Sequence, residues 1–388
     1  MAKGAYIGVQ NTAGKLFKGY IGVDGTARTI KKAYVGVGGV ARLFWSARKK
    51  LAYDGAAPAL GSSRVYHSAA SIANTYALFL GGSTNISSPA ANALATVDAY
   101  DPSLVKTTAT LHEARYNAPA IGSGSYAYIF FGVYNNSSGT YTVPCAERFD
   151  ASLTRTLHSA TFNRATHREH SGIARLNEQV LLVGGRNTYT AEYYTEAFSF
   201  DSDFTRSARA ALSTAKYEMG EGSTGAYAVF AGGYGSSGPL ANVEAYDPSF
   251  VKTTAAPLSA ARNGIASMMC GKRLLLSGGY GTAYCATVDV YDEALTHTTL
   301  TGGVARARAA GFSGETCCGA VSGSAQSGRV KTVDFYDSDL TRTSDCEVAM
   351  ARDRTRCAVL GSRVIVGGGS TSASTLTNTA EVFSIIDA

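Results

Sequence analysis

Seven basic residues recur at near-regular intervals: Arg64, Arg115, Arg168, Lys216, Arg262, Arg308 and Arg354. Each precedes a short apolar run. If the units close into a ring, one basic residue per unit would circle a central mouth. A guanidinium offers a planar fork of donors that matches carboxylates and sulfated or phosphorylated sugars. A ring of seven would therefore be a site for acidic ligands. The competing reading is that each basic side chain packs across a seam between units and bonds to carbonyls or acids. The sequence leaves both open.

Other reactive residue types form no comparable pattern. The six histidines (67, 112, 158, 167, 170 and 297) are scattered. His167 and His170 are close, but no cysteine or second histidine pair stands near them, so no metal site is expected. The seven cysteines (145, 270, 285, 317, 318, 346 and 357) are odd in number and include no CxxC pair. That argues against both a disulfide framework and a zinc site. No GxSxG, phosphate-binding loop or dinucleotide fingerprint occurs in a strand-to-helix context, and no carboxylate pair stands out for glycoside hydrolysis. The chain is expected to be a non-enzyme without cofactor.

The elements that would position the basic residues come from a repeat. VDAYDPSLVKTT at Val97–Thr108 returns as VEAYDPSFVKTT at Val243–Thr254 and VDVYDEALTHTT at Val288–Thr299. Looser copies begin at Ala146, Phe198 and Val333, and a fragment ends the chain. The anchoring aromatics, Tyr100, Phe149, Phe200, Tyr246, Tyr291, Tyr336 and Phe383, lie 45 to 51 residues apart. Such a period marks a repeat architecture. Each unit also holds an apolar run ending in glycine, such as LFLGG at Leu78–Gly82 or LLVGG at Leu181–Gly185. Four short strands per unit and seven units predict an all-β, seven-bladed β-propeller. The aromatic should wedge between blades. The glycines should permit close backbone approach near the axis.

Asp follows the aromatic in six of seven repeats, and Lys, Arg or His stands six residues after the aromatic in all six complete copies: Lys106, Arg155, Arg206, Lys252, His297 and Arg342. An Asp bonding its own turn and a solvated basic group on an outer strand are the plain expectations. The seventh unit lacks a fourth strand, and Lys50–Gly55 is placed to supply it, closing the ring. Long loops after the glycines (83–95, 134–145, 186–195, 234–242 and 370–379) are rich in Ser, Asn, Gly and Tyr, a composition suited to polar recognition on aromatic platforms.

Residues 1–46 have a different period. YIGVQNTAGKLFKG, YIGVDGTARTIKKA and YVGVGGVARLFWSA begin at Tyr6, Tyr20 and Tyr34 and repeat every 14 residues. Each reads as a β-hairpin with a Gly, Asn or Asp turn. Hairpins this small bury little alone. They form a candidate attachment module, with Tyr6, Tyr20, Tyr34 and Trp45 as its aromatic anchors, joined to a propeller over 47–388. Charge divides the same way: the first 50 residues hold ten Lys/Arg against Asp24, a net +9, while the remainder nets −3. A basic arm of this kind could bind nucleic acid or an acidic protein surface, but a solvated anchor is the simpler reading and nucleic acid is not an expected partner. The N-terminus lacks a signal-peptide core, and no run of 18 apolar residues occurs, so a membrane span is not expected.

The recurring Gly-Gly, the aromatic-Asp pair and the basic residue before each first strand resemble Kelch repeats over residues 51–388. The departure is tryptophan, because the single Trp45 lies outside the ring. That absence also removes the copper-oxidase subtype, despite the Tyr284-Cys285 neighbours. The YIGV units running into such an array are similar to phage and prophage structural proteins of Gram-positive gut bacteria. The resemblance implies a virion protein that docks through residues 1–46 to other virion proteins. It would form a homo-oligomer and display the propeller, at the tail or baseplate, to a host-surface glycan or protein. A capsid-attached head fibre and a polysaccharide-acting enzyme are the alternatives. Many weak sites on one particle would gain avidity.

Overall fold

The computed structural model describes residues 19–23, 26–30, 32–37, 40–46, 48–136, 139–158, 168–188 and 190–387. Seven four-stranded antiparallel sheets form the blades of a β-propeller. Blade 1 consists of Ser68–Ile72, Tyr76–Leu80, Thr96–Tyr100 and Lys106–Thr110, running from the axis outward. Its register pairs Ser68 with Leu80, Leu80 with Val97, and Tyr100 with Lys106. Blades 2 to 6 begin their inner strands at Ala120, Gly172, Gly220, Ala266 and Ala310.

Neighbouring blades cover both faces of each sheet, so the middle strands are apolar on both sides rather than alternating. Leu78, Phe79 and Leu80 are all buried, whereas Thr107 and Thr108 on the outer strand are exposed. The third-strand aromatics sit where expected. Tyr100 packs with Leu360 and Val382 of blade 7, and Phe149 with Leu78 and Val97 of blade 1. One such aromatic fills each of the seven seams. Removing one would cost about 3–5 kcal/mol.

The Gly-Gly pairs, with Ser322-Gly323 in their place in blade 6, join blade to blade. Gly82, Gly185, Gly233, Gly279, Gly323 and Gly369 each donate a backbone hydrogen bond, 2.8–2.9 Å long, to the carbonyl of the next blade's basic residue; Gly369 closes the circle onto Arg64. A Cβ on Gly81 would stand 2.5 Å from the Arg115 carbonyl oxygen, which is why glycine occupies this position. The fourth strand of blade 7 is Lys49–Ala57. It pairs antiparallel with Ala380–Asp387, from Ala380 opposite Ala57 to Asp387 opposite Lys49. Lys49 Nζ meets Asp387 at 2.6 Å across this junction.

Two hairpins precede the ring: Gly19–Val23 with Thr26–Ile30, and Lys32–Val37 with Val40–Ser46. They correspond to the 14-residue units at Tyr20 and Tyr34; Trp45 lies on the last strand. Tyr6 falls outside the described residues. Among those described, no helix is long and apolar enough to cross a membrane. All seven cysteines are unbridged.

Candidate functional site at the channel mouth

Five of the seven recurring basic residues do not stand at the mouth, so the expected basic ring does not form. Arg64, Arg115, Arg168, Lys216 and Arg262 are fully buried inside their blades. Arg64 pairs with Asp98, Arg115 with Glu147, and Arg262 with Asp289, while Lys216 stands 3.5 Å from Glu244. In blades 6 and 7 the equivalent residues are Arg306, 2.8 Å from Asp334, and Arg352, 2.7 Å from Glu381. Arg308 and Arg354 lie two residues further on and have a different environment.

A buried charge is tolerated only when paired and hydrogen-bonded. The partner acid stands two residues before the seam aromatic on the third strand, and it also accepts a loop N–H: Gly61 to Asp98, His112 to Glu147, Ser213 to Glu244, Ser259 to Asp289, Val304 to Asp334 and Ala349 to Glu381. The outer-strand basic residues complete the arrangement rather than standing free in solvent. Lys252 reaches Glu244 at 3.0 Å, His297 reaches Asp289 at 2.6 Å and Arg342 reaches Asp334 at 2.5 Å. Blade 3 has Phe198 at the acid position, so Arg168 and Arg206 stack on that ring at 5.4 and 5.0 Å, and Arg168 turns to Glu196 at 3.6 Å. Burial pushes Lys216 down to about 8 against the pull of Glu244. The Asp after each aromatic bonds its own turn as expected, Asp101 accepting from Ser103 and Val105 at 2.8 and 2.9 Å.

The residues two positions after the buried cations do circle the axis: Tyr66, Asn117, His170, Glu218, Gly264, Arg308 and Arg354. All have left-handed backbone, with φ between 50° and 63°. Each from Asn117 to Arg354 donates its N–H to the carbonyl of the ring residue before it, at 2.9–3.3 Å. A non-glycine residue here carries strain of order 1 kcal/mol or more, and such strain concentrates at functional sites. Their side chains line the central cavity, about 540 Å³. The sequence signal for this ring was the inner-strand start, which lies two residues further on in six of the seven blades.

Around the ring the loops after Gly-Gly fold back. Residues just before the ring form single bridges to the first loop residues: Tyr116 with Val133, Glu169 with Arg186, Tyr217 with Tyr234, Asn263 with Tyr280 and Asp353 with Ser370. Tyr217, Tyr234 and Tyr280 thereby wall a second cavity of about 250 Å³, with Glu218, Asn263 and Arg308 at its polar edge. Tyr193 and Tyr234 each lie 5.7 Å from Tyr217, and Arg186 stacks over Tyr217 at 4.4 Å while bonding Glu169 at 3.0 Å. Asn263 donates to Glu218 at 2.6 Å, and His170 Nε2 stands 3.8 Å from it. Burial pushes the Glu218 carboxyl up, but His170, Arg308, Asn263 and Arg186 more than offset this, so it stays below its ordinary value.

Deeper in the channel, Glu221 on the inner strand of blade 4 and Arg356 on that of blade 7 share the bore. Both are half-buried and line the cavity. Burial pushes Glu221 up to about 8, with Arg356 opposing. Burial likewise holds the Arg356 guanidinium below its ordinary value, against the pull of Glu221. Among the described residues, no group of three or more His, Cys, Asp or Glu is arranged to hold a metal.

No family model matches the sequence, and no curated protein matches it. The solved structure of YjhT superposes on the chain with a TM-score of 0.54 over 85% of this chain and 99% of that one, at 12% identity. At that identity the likeness concerns the fold alone, a seven-bladed β-propeller.

Proposed function

We propose that this is a bacteriophage virion protein whose propeller binds a host-surface glycan at the channel mouth, without catalysing a reaction on it. The convergence of three tyrosine faces with Glu218, Asn263 and Arg308 on one cavity carries the binding reading. Tyrosine offers flat apolar area and a hydroxyl at low conformational-entropy cost, which suits a sugar's mixed surface. The amide and carboxylate supply acceptors and donors fixed in place by their mutual hydrogen bond. The Kelch-like repeats and the 14-residue units leading into them support the virion assignment, with residues 1–46 as the docking segment for the particle. Antibody raised against residues 48–387 should decorate the tail tip of intact particles in immunogold electron microscopy. Label over the head would replace the tail assignment with a capsid fibre, and particles without label would refute the virion reading.

A further inference from the structure

The channel is electrically polarised across its width. Arg308, Arg354 and Arg356 come from blades 6 and 7; His170, Glu218 and Glu221 come from blades 3 and 4, across the axis. Arg354 shares Asp353 with Arg329, two cations on one carboxylate. Among the described residues Arg308 and Arg356 make no ion pair; Arg356 donates only to the Thr355 carbonyl at 3.1 Å. Burial raises the Glu221 carboxyl against the pull of Arg356, which weakens it as a counter-charge to that guanidinium. One wall thus carries three guanidiniums, with Asp353 beside them already shared with Arg329, and the other carries His170, Glu218 and Glu221, whose charges act across the bore on Arg308 and Arg356.

We infer that the channel receives the terminal residue of a glycan bearing a single carboxylate, a uronic-acid-class sugar. Its carboxylate lies against Arg308, Arg354 and Arg356, and its hydroxyls face Asn117, His170 and Glu218. The inference rests on the glycan-binding reading above. A cavity of about 540 Å³ admits one sugar ring and its linkage, within the ordinary size of ligand pockets. A planar monoanion suits the guanidinium forks. A phosphate dianion would add a second charge close to ionised Glu218 and is disfavoured.

The test is calorimetric titration of the full-length protein with methyl β-glucuronide and methyl β-glucoside, for the wild type, Arg308→Gln and Arg356→Met. The wild type should bind the glucuronide at least about tenfold more tightly than the glucoside. Arg308→Gln, at an exposed position, should erase most of that preference while unfolding at the wild-type temperature. Arg356→Met should do the same if its melting is unchanged; Arg308→Gln decides the matter if it is not. Equal binding of the two glycosides, or an unaltered preference in Arg308→Gln, overturns the inference. If host-wall glycan still binds in that case, the glycan reading stands without it. Glucuronide binding without any host-wall glycan binding would uphold the channel site and defeat the proposed function.

Discussion

Two concentric sets of residues, two positions apart in every repeat, behave in opposite ways. The buried set, Arg64 to Arg352, is nearly uniform: six arginines and one lysine, each facing an acid. The mouth set has one backbone conformation and no common chemistry: Tyr66, Asn117, His170, Glu218, Gly264, Arg308 and Arg354. A residue that repeats with the fold serves what every blade shares, namely closing its own core. A residue free to differ at a geometrically fixed point can be asymmetric, and a ligand without sevenfold symmetry needs an asymmetric site. In this propeller, regularity marks structure, and the proposed function assigns recognition to the irregular set.

The comparison can be broken most severely by opening the ring itself. Deleting residues 1–57 removes the fourth strand of blade 7 and uncovers Phe383 and Val382, both buried. The midpoint of thermal unfolding should fall by more than about 10 °C, or cooperative melting should vanish. Melting at the wild-type temperature would show that Lys49–Ala57 does not close the structure.

Next in size, Arg262→Met leaves the buried Asp289 without its guanidinium partner, with the His297 ring 2.6 Å away, at a cost of about 3–5 kcal/mol in urea unfolding. The double variant Arg262→Met/Asp289→Leu should recover much of this. An additive double variant would remove the pairing as the reason for the uniform set.

At the mouth, Arg308→Gln should change stability by less than about 0.5 kcal/mol, and Tyr217→Ala should weaken glycan binding by about tenfold or more. A further effect concerns pH. The folded-state pKa of Glu221, about 8, is above its unfolded value, so the native state holds the extra proton. Its contribution is full below about pH 4.5 and is lost as pH rises through 8. Glu221→Gln should therefore flatten the fall in stability between pH 5 and pH 8, by about 1–3 kcal/mol after allowing for water in the bore. Parallel pH profiles for the two proteins would contradict the shift.

The fold was legible because its signals are local and periodic. The aromatic-Asp pair fixes the third strand and its turn, the Gly-Gly fixes the blade contact, and Tyr100 or Phe383 marks a seam wherever it recurs. The mouth was not legible from residue type. Val-Ala-Arg-Ala-Arg and Arg-Asp-Arg-Thr-Arg each offer more than one cation, and choosing Arg308 and Arg354 joined two members of the mouth ring to five buried residues. The acid two residues before the aromatic in six of the seven repeats was the available correction: buried on the third strand, it needs a buried cation beside it, and in blades 6 and 7 that cation is Arg306 and Arg352. The tyrosine-walled cavity depends on bridges such as Tyr217 to Tyr234 and on blades 4 to 6 meeting, and no sequence period encodes those contacts.

Binding of purified protein to host cell-wall glycan, compared between a triple variant Tyr217→Ser/Tyr280→Ser/Arg308→Gln and the outer-strand variant Lys106→Gln, tests the central claim most directly. The triple variant should melt as the wild type does and lose binding, while Lys106→Gln should bind normally. Undiminished binding by a folded triple variant would place recognition elsewhere and contradict the account.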